Sequence, residues 1–127
     1  MSVEIDNKGI ILSRNDYMAK KVVFVDGQAG CGKSLVSSII SAMSHVELLS
    51  YLPEVENICV LNFFNKIQND AADVMIGIQT DLKIYQTMMG RDVNFRISDV
   101  SSAINNHDTK RYVERIYGPG DEQIQHI

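Results

Sequence analysis

The chain has 127 residues, 45% hydrophobic and 22% charged, with a net charge of −4 and a pI near 5.2. That balance fits one globular domain rather than a disordered tail, and its acidity leaves no electrostatic footprint for nucleic acid or an anionic membrane. No apolar run approaches the ~18 residues of a membrane span, Met1 to Asp6 lack the regions of a secretory signal, and the two cysteines, Cys31 and Cys59, have neither disulfide-framework nor metal spacing. A cytoplasmic protein is expected.

Residues 1–21 read as a polar N-terminal extension in which Gly9-Ile10-Ile11-Leu12 can form a short strand, and 22–127 as one domain. Val22-Val23-Phe24-Val25 is a continuous apolar run of the kind found in a strand buried on both faces. It leads through Asp26 into Gly27-Gln28-Ala29-Gly30-Cys31-Gly32-Lys33-Ser34, which satisfies G-x-x-x-x-G-K-[ST] at every fixed position. Glycines let bare backbone approach an anion, so amides from about Ala29 to Ser34 are expected to form a nest, reinforced by the amino end of the following helix. In such a cradle Lys33 reaches phosphate oxygens and the Ser34 hydroxyl ligates Mg²⁺. The same surroundings could lower the pKa of Cys31.

The helix after the loop carries Leu35, Val36, Ile39, Ile40 and Met43 on one stripe, expected to cover a sheet, and Ser37, Ser41 and Ser44 on the opposite one. His45-Val46-Glu47-Leu48-Leu49 reads as a second strand, closing a right-handed β-α-β unit. Pro53, Glu54 and Glu56 mark a helix start, and Val55, Ile58, Leu61, Phe64 and Ile67 extend it over 53–67, with a strand at 58–61 as the alternative. Asn69-Asp70 opens a longer helix with Ala71, Val74, Met75, Ile78, Leu82, Tyr85 and Met89 on one face, ended by Gly90.

Arg91 to Asp99 is rich in anion-binding groups, and Val93–Ile97 reads as a short strand or extended loop. Asp99 can cap a short helix through Ile104. Asp108 can cap another carrying Tyr112, Val113, Ile116 and Tyr117, stopped by Gly118-Pro119, and Asp121 opens one more. The pattern predicts an α/β chain: a parallel-sheet P-loop fold with a helical insertion from about 53 to 90. With few strands and no apolar run ending in Asp after the loop, the fold is expected to be incomplete at its C-terminus, the chain being the N-terminal part of a longer protein.

On Gly27, Gly30, Gly32, Lys33 and Ser34, and over about residues 22–50, the chain resembles the P-loop nucleoside triphosphatase superfamily. GTPases are disfavoured, because Asn65-Lys66-Ile67-Gln68 lacks the acid of their Asn-Lys-x-Asp base reader; large motor and transporter ATPases are disfavoured for want of a second acidic motif. A resemblance to small-molecule and nucleotide kinases implies that ATP binds at Gly27, Gln28, Ala29, Gly30, Cys31, Gly32, Lys33 and Ser34, with Mg²⁺ on Ser34. The γ-phosphoryl group would pass to a small-molecule acceptor, Lys33 stabilising charge and Arg91 or Arg96 clamping phosphate. A weaker resemblance to sulfotransferases implies 3′-phosphoadenosine 5′-phosphosulfate without a metal, Arg91 and Ser98 holding its 3′-phosphate. The third alternative is a nucleotide-binding fragment without turnover.

Several residues keep a plainer alternative. Arg91, Arg96, Ser98 and Asp99 equally suit a solvated loop with a helix cap. Asp26 and Glu47 could order metal-bound water or take a proton, or be ordinary surface acids. His45, His107 and His126 have no metal spacing, and Met75, Met88, Met89 and Tyr85 suit a core.

Overall fold

Pro53 at the first helical position, with Glu54 and Glu56 in the first turn, starts a helix where its missing N–H and the acids' charge both suit the amino end. In the computed structural model, which describes residues 9–106 and 108–119, this helix is the second of those found. Helix α1 spans Lys33–Ser41, α2 Pro53–Phe63, α3 Asn69–Met88 and α4 Thr109–Tyr117, with a 3₁₀ turn at Ala103–Asn105.

Both α2 and α3 stop in the same way. After α2, Asn65 takes the left-handed conformation (φ 54°), its N–H reaching Asn62 O at 2.9 Å while Lys66 N–H reaches Leu61 O at 2.8 Å. After α3, Gly90 (φ 67°) donates to Thr87 O at 3.1 Å and Arg91 N–H to Gln86 O at 2.9 Å. These are Schellman closures, which satisfy carbonyls that the helix itself leaves without donors. Residues 64–68 thus turn the chain so that α2 packs on α3 as an αα-hairpin. Among the described residues the buried apolar ones are Val55, Ile58, Ala72, Met88, Ala103 and Tyr112.

Residues 12–19 run along α3. Leu12 N–H donates to Asp70 Oδ2 (2.7 Å) and Ala19 N–H to Asp81 Oδ1 (3.0 Å). Between these anchors the Tyr17 ring lies on the backbone at Gly77, where a Cβ would stand 2.1 Å from Tyr17 Cε1. Only glycine leaves room for that ring.

The described residues contain no β-strand, and this overturns the expected α/β fold. Gly9–Leu12, Val22–Val25, His45–Leu49 and Val93–Ile97 all lie outside regular structure. A short apolar run becomes a strand only where neighbours supply a hydrogen-bond ladder and cover both of its faces. Val22, Val23 and Phe24 have neither, and remain exposed.

The P-loop resemblance falls with the sheet. In that fold the sheet sets a strand end, a glycine loop and a helix terminus around one polyphosphate, and here nothing plays its part. ATP with Mg²⁺, phosphoryl transfer to a small-molecule acceptor, kinase or other transferase activity, and sulfuryl transfer from 3′-phosphoadenosine 5′-phosphosulfate are therefore withdrawn. So is the nucleotide-binding fragment. No helix among the described residues is long and apolar enough to cross a membrane. His107, His126 and the helix expected from Asp121 lie outside the described residues.

Candidate functional site

The glycine-rich loop is present, but its polar groups are turned on one another. Gly32 (φ 87°) is the residue before α1 and no side chain caps the helix there. Lys33 folds its ammonium back onto the carbonyl oxygens of Gly27 and Gln28, the latter at 2.8 Å. Asp26 Oδ1 accepts from Gly27 N–H at 2.6 Å, and Gln28 O from Cys31 N–H at 3.3 Å. The cation expected to meet phosphate oxygens is thus held by main-chain oxygens, and Asp26 serves as a local cap.

Gln28, Ala29, Gly30 and Cys31 are exposed, whereas Lys33 and Ser34 are half-buried. Among the described residues no group of three or more His, Cys, Asp or Glu side chains is arranged to hold a metal ion, at Ser34 or elsewhere.

Arg91, Arg96 and Ser98 belong to a separate turn, and none of the hydrogen bonds or ion pairs among the described residues joins them to the loop. Arg91 N–H closes α3, and Arg96 N–H goes to Asn94 Oδ1 at 3.0 Å. Asp99 organises this turn, accepting from Ser101 N–H (2.9 Å), Ser101 Oγ–H (2.8 Å) and Asn94 Nδ2 (2.9 Å). Those donors, the Ser101 amide foremost, hold its carboxyl below the usual range. The cap of the 3₁₀ turn is not Asp99 but buried Ser102, whose Oγ accepts from Ile104 N–H at 3.2 Å and donates to Asn94 O at 3.1 Å.

Helix α1 is the most informative element because its burial does not follow the expected faces: Ser41 is its one buried residue, Ile40 and Ser37 are half-buried, and Ser44 is exposed. Leu35 is 62% exposed, Ile39 50% and Met43 57%, with Val36 beside them, whereas Ser41 is only 2% exposed. Four residues of the stripe that should have covered a sheet face solvent, and Ile40 is half-buried. Ser41 Oγ receives a 2.8 Å hydrogen bond from Asn106 Nδ2 and donates to Ser38 O, and Arg111 Nη2 reaches Ser41 O at 3.3 Å. Helix α4 behaves similarly: Tyr112 and Arg115 are buried, and Val113, Ile116 and Tyr117 are exposed.

What holds Ser41 inside is a cluster that the sequence did not single out as a unit. Arg115 grips Glu47 with two hydrogen bonds, Nη1 to Oε2 at 2.9 Å and Nη2 to Oε1 at 2.6 Å. Arg111 adds a hydrogen bond to Val46 O at 3.4 Å and an ion pair, not a hydrogen bond, with Asp108 Oδ2 at 3.1 Å, and both guanidinium groups lie over the Tyr112 ring, at 5.1 and 5.4 Å. Glu47, expected as a surface acid or metal-site acid, is the anion of this cluster. The signal available was the pair of arginines four residues apart on one helix face, flanking a tyrosine.

Comparison of the chain with protein-family models, with curated proteins and with solved structures gives no match. The class defined is therefore structural: an all-α arrangement of the described residues whose first helix presents an apolar stripe outward.

Proposed function

We propose that the chain is a protein-docking module and that α1 is its contact surface. The observation carrying this reading is the outward stripe of Leu35, Val36, Ile39 and Met43 on a helix whose buried Ser41 is already engaged by Asn106 and Arg111. A helix with one free apolar edge could roll inward and bury it. This one is fastened by its polar side.

Contiguous apolar side chains on a soluble protein mark interaction sites more often than they are neutral. The i, i+1, i+4, i+8 spacing is what an amphipathic helix uses to anchor in a partner's apolar groove. Val22, Val23 and Phe24, also exposed, precede the glycine loop that leads into α1 and add apolar side chains of their own.

Position-specific photo-crosslinking tests the reading. A benzophenone side chain at Leu35 or Met43 is expected to give a discrete polypeptide adduct in cells, and one at solvent-facing Glu114 is not. Equal labelling from all three positions, or none from Leu35 and Met43, contradicts it.

A further inference from the structure

A second apolar edge lies on α3. Ala71, Met75, Ile78, Leu82, Tyr85 and, at the C-cap, Met89 follow one another at alternating intervals of four and three residues. That is the spacing of a coiled-coil seam, which keeps one stripe of side chains toward a partner helix, here over about 27 Å. Met75, Ile78 and Leu82 are between 43% and 47% exposed, and Ala71, Tyr85 and Met89 are half-buried. Other parts of α3 are already in use: residues 12–19 hold the side marked by Asp70, Gly77 and Asp81, and α2 packs on the helix as well.

Two features of the seam fit a second copy of this chain. Side-chain size rises along it, from Ala71 at one end to Tyr85 and Met89 at the other. Two such helices set antiparallel about the level of Thr80 place Ala71 opposite Met89, Met75 opposite Tyr85 and Ile78 opposite Leu82, so that small meets large at the ends. A parallel pair would set Ala71 on Ala71 and Tyr85 on Tyr85, and would also align the helix dipoles. The seam has no charged residue, and Gln79 and Gln86, which border it on one side, are neutral amides that both donate and accept hydrogen bonds. Copies that each carry a net charge of −4 can therefore meet here without apposing like charges. Neither feature involves α1.

We propose that α3 is a self-association surface on which two copies of the chain pair antiparallel as an isologous dimer. One helix laid on one helix is a small interface, so the dimer is a weak and reversible one.

Sedimentation of the full chain between about 5 and 500 µM, together with disulfide trapping, tests this. The wild type is expected to pass from monomer to dimer across that range. Ile78→Glu should weaken dimerisation at least about tenfold, whereas Ile97→Glu, the same change at an exposed site outside α3, should leave it unaltered. In a Cys31→Ser, Cys59→Ser background, a mixture of Met75→Cys and Tyr85→Cys chains should form a mixed disulfide. Met75→Cys alone should not link to itself, because antiparallel pairing offsets the two copies of that position by about 15 Å. A chain that stays monomeric to about 1 mM, assembly beyond a dimer, a dimer that Ile78→Glu weakens no more than Ile97→Glu does, or Met75→Cys linking to itself as readily as to Tyr85→Cys would overturn the proposal. The trapping decides even if Ile78→Glu fails to fold.

Discussion

Asn106 donates a 2.8 Å hydrogen bond from Nδ2 to the Oγ of Ser41, a buried link between residues 65 positions apart. It fastens the carboxyl end of α1 to the end of the 3₁₀ turn, and Ser41 passes the bond on to Ser38 O at 3.0 Å. A hydroxyl that donates and accepts inside the protein has its bonding complete, which is why a serine rather than an isoleucine can be the inward residue here. The apolar stripe of α1 faces solvent as a consequence.

The arginine cluster ties α4 to residues 46–47. Arg115 is largely buried and its fork is matched to Glu47, so truncating it removes both hydrogen bonds of a partly buried carboxylate and leaves it only the longer ion pair with Arg111 at 3.7 Å. Arg115→Ala is expected to cost about 3 kcal/mol in urea unfolding. The double variant Arg115→Leu, Glu47→Leu should recover much of that loss, because replacing both members removes the under-bonded charge as well as the pair. A single substitution that is as mild as the double one would contradict this role.

Gly90 is constrained twice. Its φ of 67° disfavours any side chain, and a Cβ would stand 3.3 Å from the backbone carbonyl carbon and oxygen of Arg115. Gly90→Ala should lower stability by about 1–2 kcal/mol from the left-handed conformation alone. Asn65→Gly, at the equivalent position after α2, should be close to neutral, as asparagine tolerates this conformation and glycine removes its residual strain. Thermal unfolding of the two variants side by side reads the difference.

Asp99 supplies a pH dependence whose sign follows from its hydrogen bonds. Its folded carboxyl is held below the ordinary value of 3.8 by donors from Ser101 and Asn94. A depressed carboxylate contributes stability above the unfolded pKa and loses it as pH falls through the lower folded one. The gap in melting temperature between the wild type and Asp99→Ala should therefore be present at neutral pH and narrow below about pH 4. A gap that is constant down to acid pH would show that the carboxylate's charge is not what holds the turn.

The helices were legible and the layers were not. Pro53, Glu54 and Glu56 announced α2, Asn69-Asp70 and Gly90 bounded α3, and Gly118-Pro119 closed α4, because caps and stop signals are local chemistry read within a few residues. Burial is a tertiary outcome. Met75, Ile78 and Leu82 fall on the face of α3 expected to be core yet are exposed, whereas Thr80 and Asp81 are buried beneath residues 12–19.

The glycine loop misled for a related reason. Gly27 to Ser34 match a phosphate-binding pattern, but a pattern of eight residues does not contain the sheet that gives it meaning. Val22 to Val25 read equally well as a buried strand or as an exposed apolar segment, and only the absence of ladder partners among the described residues separates the two. Arg91, Arg96 and Ser98 are exposed in the stretch after α3, where Asp99 gathers hydrogen bonds without capping the 3₁₀ turn.

The orientation of α1 is tested most directly by exchanging chemistry on its two faces. Ile39→Glu and Ser41→Leu should be compared by chemical unfolding, with helix content followed by circular dichroism. With Ser41 inside, Ile39→Glu is expected to change stability by no more than about 0.5 kcal/mol, while Ser41→Leu, which overpacks the site and strands Asn106 Nδ2, should cost about 2 kcal/mol or more. The reverse ordering, with Ile39→Glu unfolding the chain and Ser41→Leu tolerated, would mean that the apolar stripe is buried and that α1 is not a docking surface.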